Sequence, residues 1–247
     1  MIRTIIIVIE ALITAIVTLP YIPVVLFVGL FSMKARDYMA RGAMRFEFKI
    51  LKFLSGARVH ITGLENLPKD EPVLYIANHR SSFDIILPYY LFPGHTAMIS
   101  KKEWEKIPSL AWWMKILHNL FLDRNDVKQG LKVILKAIDM VKDGYSICIY
   151  PEGTRNKTEE DMLPFHEGSF KIASKSGCPI IPITMYNMSA LFEDHKPFIK
   201  AADVYMDFGE PIRVEDLSAE DKKHLGSYVR DKMLITYNKL KEEAQSK

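Results

Sequence analysis

Cysteine is scarce in this sequence: only Cys148 and Cys178 occur in 247 residues. Neither sits in a C-x-x-C or Cys/His spacing, so no zinc site and no disulfide framework is encoded. Cys148 lies inside the apolar run YSICIY and reads as a small core residue of a protein in a reducing compartment. A marked charge of one sign is also lacking. The chain carries 33 Lys and Arg against 30 Asp and Glu, a formal net charge of +3. A dedicated nucleic-acid binder shows a larger basic excess, so no nucleic-acid partner is expected. There is no internal repeat and no low-complexity tract.

The N-terminal part, by contrast, is rich in apolar residues. From Thr4 to Phe31 the run is broken by one acid, Glu10. A helix crosses a bilayer with about 20 such residues. Pro20 and Pro23 predict a kink or a split, so residues 4–31 either span or enter one leaflet. No A-x-A pattern closes the run, which argues against a cleaved leader. Next, Arg41, Arg45, Lys49 and Lys52 recur along one helical face, opposite Phe46, Ile50, Phe53 and Leu54. This is the pattern of a basic amphipathic helix on anionic lipid, or of a helix packed on its own domain with a solvated basic face. Residues 1–55 are therefore expected to form a membrane-associated helical anchor. The positive-inside rule puts the basic side in the cytoplasm, so residues 56–247 form a domain on the cytoplasmic side of the membrane.

After Gly56 short apolar runs alternate with helical patterns. Strands are expected near 58–61, 73–77, 96–99, 120–122, 145–150, 179–185 and 201–208. Helices are expected over 81–91, 109–117, 127–142, 170–176 and 218–241, the last opened by the capping box Ser218-x-x-Asp221. This alternation predicts an α/β fold with a mostly parallel central sheet flanked by helices. Ligands of such sheets gather at the carboxyl ends of the strands. Two apolar runs end there in polar residues: IAN-HRSSFD and CIY-PEGTR.

The first of these raises a geometric question. Five residues apart on one helix, His79 and Asp84 would diverge by about 140°. They meet only if His79 precedes the helix and Asp84 lies in its first turn, as the capping serines Ser81 and Ser82 suggest. Asp84 then either closes a capping box with Ser81, or holds one nitrogen of His79 and leaves the other as a general base. Spacing alone leaves both open. His166, beside Glu167, is a weaker candidate base because it lacks an orienting acid at a suitable spacing.

Asn78-His79-x4-Asp84 resembles the NHxxxxD motif of glycerolipid acyltransferases. Further blocks follow in the family's order: Phe121-Leu122-Asp123-Arg124, Glu152-Gly153-Thr154-Arg155, Leu163-Pro164-Phe165 with Gly168-Ser169-Phe170, and Ile181-Pro182-Ile183. The resemblance covers about residues 60 to 190 and is greatest to bacterial 1-acyl-sn-glycerol-3-phosphate acyltransferases. One departure stands at His166 and Glu167, where the family's third block often carries basic residues. The resemblance implies a glycerol-3-phosphate acyltransferase-like fold and transfer of a fatty acyl group to the sn-2 hydroxyl of lysophosphatidic acid, giving phosphatidic acid.

On that reading His79 is the base and Asp84 its partner. Arg124, Arg155 and Lys101 bind the acceptor's phosphate, and Glu152, Gly153 and Thr154 orient the acceptor. The backbone N–H groups at the helix start by Ser81 are available as oxyanion donors. No cofactor and no metal is implied. The partners are membrane lipids, lysophosphatidic acid, and a thioester of coenzyme A or of acyl carrier protein. The alternatives are another lysolipid acceptor or a non-catalytic lipid-binding protein. The aromatic residues Trp104, Trp112, Trp113, Tyr89 and Tyr90 could line an acyl channel, sit at the bilayer interface or pack in the core.

Overall fold

The structure is a computed structural model that describes residues 1–246. Three helices open the chain: α1 (Ile2–Val17), α2 (Tyr21–Gly29) and α3 (Met33–Ser55). Pro20 splits the apolar run as expected, whereas Pro23 sits in the first turn of α2 without breaking it. Pro20 caps α2, and α1 and α2 are bent by 49° to each other. No single helix among the described residues is long and apolar enough to cross a membrane, although the bent pair passes that test together.

The rest of the chain builds a seven-stranded sheet in the order β1-β7-β6-β2-β5-β3-β4. The strands are β1 (Arg58–Thr62), β2 (Leu74–Ala77), β3 (Thr96–Lys101), β4 (Leu120–Leu122), β5 (Ser146–Ile149), β6 (Ile180–Tyr186) and β7 (Asp203–Phe208). Among the named strands of the described residues only β6 and β7 pair antiparallel, so β1 and β7 run against the other strands. The expected mostly parallel α/β sheet is thus observed. The helices α4 (Phe83–Tyr89), α5 (Pro108–Ile116), α6 (Val127–Lys142), α7 (Lys171–Ser176), α8 (Ala219–Lys223) and α9 (Leu225–Gln245) complete the fold.

Strand alternation divides the core between the two faces of the sheet. Leu74 and Ile76 of β2 pack with Ala137, Ile172 and Val229 from α6, α7 and α9. Tyr75 and Ala77 point the other way, to Phe83 and Leu87 of α4. Both faces are covered, which is why β2 and β5 read as unbroken apolar runs. Cys148 is buried in β5, as expected, and burial pushes its thiol up to about 12.

One sequence expectation needs correction. The helix expected over 218–241 is broken at His224. The cause is tertiary: the Glu167 carboxylate accepts the Gly226 N–H at 3.0 Å and caps a new helix start. On the basic side of α3, two of the four cations turn to the domain and Lys49 is exposed. Arg41 donates to the Pro93 carbonyl at 2.9 Å, and Lys52 lies 5.9 Å from the centre of the Tyr90 ring. Phe46 and Phe53 of the same helix are exposed.

The aromatic residues divide as well. Trp113 is buried, stacks on Tyr21 and donates to the Thr18 hydroxyl at 3.2 Å, which ties the α1–α2 bend to α5. Tyr89 and Tyr90 are core residues, whereas Trp104 and Trp112 are exposed.

The α1–α3 contact has its own polar lock. Thr14 Oγ1 lies 3.0 Å from Glu10 Oε1 and 2.9 Å from Glu47 Oε2. A hydroxyl has one proton to give, so one of the two carboxyls must donate in return. Burial, with the like charge of Glu10 beside it, pushes Glu47 up to about 7 from an ordinary value of 4.5. The folded chain therefore binds this proton more tightly than the unfolded chain. The stabilisation is full below about pH 4.5 and declines as the pH rises towards 7. Thermal midpoints in detergent should fall between pH 5 and pH 8, and Glu47→Gln should flatten that dependence, the neutral amide having no proton to lose. An equal slope in the variant would show that the pair does not set it.

Candidate active site

Because β6, β2, β5, β3 and β4 run in one direction, their carboxyl ends share an edge. The segments leaving that edge carry His79 after β2, Lys101 at the end of β3, Arg124 after β4 and Glu152 to Arg155 after β5.

β2 is released from the sheet at Asn78. Its buried side chain donates to the Met185 carbonyl at 2.9 Å and accepts the Met185 N–H at 2.8 Å, so the loop starts from a point fixed on β6. The ring of His79 follows. Its Nδ1 lies 2.9 Å from Asp84 Oδ2. A carboxylate oxygen can only accept, so Nδ1 carries the proton and the lone pair stands on Nε2. The same Oδ2 accepts the backbone N–H groups of Arg80 and Ser81, each at 2.6 Å. Asp84 is 1% exposed, and the Tyr150 hydroxyl donates to its carbonyl at 2.7 Å. Tyr150 also lies against the His79 ring, with 4.5 Å between ring centres. The capping and catalytic readings of Asp84 are therefore compatible: one oxygen serves the helix start and the imidazole together.

That arrangement corrects the expectation for the oxyanion. The amides of Arg80 and Ser81 are bound to Asp84, Ser82 N–H donates to Glu193 at 3.0 Å, and Phe83 N–H donates to Ser81 Oγ at 3.1 Å. None is left free for a reacting carbonyl, because the helix start uses them to hold its own shape.

Glu152 is 5% exposed. Its Oε1 accepts the His79 N–H at 2.7 Å and its Oε2 accepts the Leu163 N–H at 3.0 Å. Burial pushes this carboxyl up, and the two amides oppose the shift. Its contribution is to hold the histidine loop rather than to face solvent. The His79 carbonyl accepts the Asn156 N–H at 2.7 Å, closing the loop from the other side. Gly153 takes φ +70°, and a Cβ there would come 2.9 Å from His166 Nε2. Both the conformation and the contact favour glycine. His166 itself is exposed, as is Thr154. Arg155 Nη1 reaches Ser82 Oγ at 3.1 Å and Glu193 Oε1 at 2.9 Å.

The structure thus brings His79, Asp84, Glu152 and Arg155 into one connected site. Lys101 and Arg124 lie on the same edge but two and three strands away from β2, roughly 10 and 15 Å at the usual strand spacing. Lys101 pairs with Glu103 at 2.8 Å. Arg124 is exposed and makes no side-chain hydrogen bond among the described residues. Glu193, Asn156 and Tyr150 were not anticipated as site residues. Asn156 and Tyr150 flank the EGTR block and could have been suspected on that ground. Glu193 lies in no motif.

Two further histidines find aspartates. His118 Nε2 is 3.0 Å from Asp37, and His60 Nε2 is 3.0 Å from Asp203. Neither resembles the His79 site. His118 and Asp37 sit with Arg36 and Tyr145 at the opposite edge of the sheet, and His60 lies on the outermost strand.

Replacing Glu152 by Gln should be costly despite equal size. Glu152 binds one N–H with each oxygen, and the amide has an oxygen at only one of the two positions, leaving the other N–H unpaired at about 1–3 kcal/mol. Turnover should fall roughly tenfold for each 1.4 kcal/mol that reaches the transition state, together with faster exchange of the His79 or Leu163 amide. Turnover and exchange both unchanged would remove Glu152 from the support of the loop.

Comparison with known proteins agrees with this geometry. The acyltransferase family's sequence profile matches residues 58–186. A 1-acyl-sn-glycerol-3-phosphate acyltransferase from Borreliella burgdorferi is 32% identical over 77% of this chain and 76% of its own length. One from Saccharomyces cerevisiae is 31% identical over 78% of this chain, which spans 64% of that relative. Among solved structures, the 1-acyl-sn-glycerophosphate acyltransferase of Thermotoga maritima superposes with a TM-score of 0.75 at 24% identity, over 97% of this chain and 98% of that one. With its profile, its relatives and the paired histidine and aspartate at the sheet's carboxyl edge in agreement, the chain belongs to the acyltransferase family.

Proposed function

We propose that this chain transfers a fatty acyl group from a thioester to the sn-2 hydroxyl of 1-acyl-glycerol-3-phosphate, giving phosphatidic acid, with His79 as general base. The observation that carries the mechanism is the 2.9 Å contact between His79 Nδ1 and Asp84 Oδ2, which leaves Nε2 as a free base on the ligand edge of the sheet. The relatives named as 1-acyl-sn-glycerol-3-phosphate acyltransferases support the substrate class. In the first step Nε2 takes the proton of the acceptor hydroxyl as its oxygen attacks the thioester carbon. Asp84 stabilises the imidazolium that forms. Collapse of the tetrahedral intermediate then breaks the C–S bond, and the imidazolium returns the proton to the departing thiolate. Arg155 supplies a planar donor set for the acceptor's phosphate. Lys101 and Arg124, on neighbouring strands of the same edge, add positive charge. The thiol carrier is coenzyme A or acyl carrier protein.

The site works at a membrane in this reading. Ile5, Ile9, Leu12, Ile16, Phe27 and Phe31 of the α1–α2 region are exposed large apolar side chains, an excess that a soluble surface rarely carries. We assign them to the lipid of the cytoplasmic membrane, with the sheet on its cytoplasmic side. In a flotation assay, Leu12→Glu with Ile16→Glu should shift the protein from anionic vesicles to the soluble fraction. Unaltered flotation would place the lipid contact elsewhere.

His79→Ala should lower acyl transfer by about 10²–10⁴-fold, the usual contribution of a positioned base. Binding of lysophosphatidic acid by the variant should stay within a few-fold of wild type. Wild-type turnover in the variant would exclude His79 as the base.

A further inference from the structure

Glu193 lies outside every block of the sequence that pointed to the family, yet it joins the two halves of the site. It stands in the short 3-10 turn Glu193–His195 that follows β6. Its side chain is 13% exposed. Oε1 accepts from Arg155 Nη1 at 2.9 Å, from Ser82 N–H at 3.0 Å and from Ser82 Oγ at 3.1 Å. Oε2 accepts from the Ser81 hydroxyl. Ser82 Oγ in turn accepts from Arg155 Nη1 at 3.1 Å.

Every contact to the guanidinium uses Nη1. Among the described residues, Nε and Nη2 of Arg155 make no hydrogen bond. Those two nitrogens form the fork that binds two oxygens of a phosphate side by side. A long arginine side chain loses considerable rotamer freedom when it is ordered. With Nη1 already fixed to Glu193 and Ser82, much of that loss precedes ligand binding.

We infer that Glu193 is a positioning residue for the acceptor: it pins one arm of Arg155 to the first turn of α4 so that the Nε–Nη2 fork stays open to a phosphate monoester. This rests on the proposed function above, in which Arg155 meets the acceptor's phosphate. Glu193 touches neither the imidazole nor Asp84. The turn that holds Asp84 keeps its own ties through the Arg80 and Ser81 amides. The residue therefore acts on acceptor affinity and not on the proton transfer.

Two substitutions give opposite signatures. The negative charge of Glu193 opposes an incoming phosphate, while its hydrogen bonds place the arginine. Glu193→Gln keeps an oxygen for Arg155 Nη1 and removes the charge. Glu193→Ala removes the placement. With the full chain in detergent micelles, KM and kcat are measured for lysophosphatidic acid and for a monoacylglycerol, which lacks the phosphate. In Glu193→Ala the KM for lysophosphatidic acid should rise by about 10-fold or more, the effect of losing a charge-assisted contact. Its kcat, and the KM for monoacylglycerol, should stay within about 3-fold of wild type, as expected when only acceptor binding is touched. In Glu193→Gln the KM for lysophosphatidic acid should be equal to or below that of wild type.

A matching loss with both acceptors, or Gln as damaging as Ala, would reduce Glu193 to a structural clamp and overturn the inference. A thermal midpoint of Glu193→Ala close to wild type keeps the comparison between folded proteins. Wild type without preference for the phosphate-bearing acceptor would instead sink the proposed function. A wild-type preference that survives Glu193→Ala unchanged would sink only this inference.

Discussion

One oxygen atom holds the site together. Asp84 Oδ2 accepts from the His79 ring and from the amides of Arg80 and Ser81, at 2.9, 2.6 and 2.6 Å. The two amides make the chain turn sharply between β2 and α4, and that turn is what places the imidazole over the carboxylate. Tautomer, ring orientation and loop shape are therefore set by one buried group. Nearly every other contact in the site supports that turn: Glu152 on the His79 amide, Asn156 on the His79 carbonyl, Tyr150 on the Asp84 carbonyl. A base that must be in place before its substrate arrives gains from such redundancy, because less ordering remains to be done in the transition state.

Three histidine–aspartate pairs occur among the described residues, which shows how little the pair alone means. Asp37 is 4% exposed and satisfies Arg36, His118 and Tyr145 at once, so it fastens α3 to the amino edge of the sheet. At the other edge the same chemistry puts His79 at the carboxyl ends of the parallel strands, one short loop away from Glu152. Topology makes the difference: in open α/β sheets ligands gather at the carboxyl ends of the strands.

The helical region connects to this frame through specific polar contacts as well as through the apolar cluster of Ile22, Val25, Ala40, Trp113 and Ile116. Arg3 donates to the Leu54 carbonyl at 2.8 Å, the Thr4 hydroxyl accepts the Ile199 N–H at 2.8 Å, and Trp113 ties the α1–α2 bend to α5. α1 therefore lies along α3, and its start reaches the Ile199 segment just before β7. Because β7 runs against β6, that segment lies on the same edge as His79. A lipid surface met by α1 would thus lie beside the edge where the acyl transfer is proposed.

The sequence alone determined the alternation of strands and helices, the burial of β2 and β5, the split at Pro20 and the placement of His79 ahead of a capped helix. These follow from local rules: side-chain period, capping chemistry and the fixed φ of proline. It could not decide whether Asp84 capped a helix or steered a base, because one spacing serves both, and only the fold showed a single oxygen doing each. The break at His224, the inward-turned cations of α3, the occupied amides at Ser81 and the grip of Glu193 on Arg155 all come from residues distant in the chain. Glu167 meets Gly226, Arg41 meets Pro93 and Glu193 meets Ser82 only in the folded chain. No periodicity records such partners, since hydrogen bonds across a fold depend on where strands are ordered, and strand order is settled by packing the whole chain.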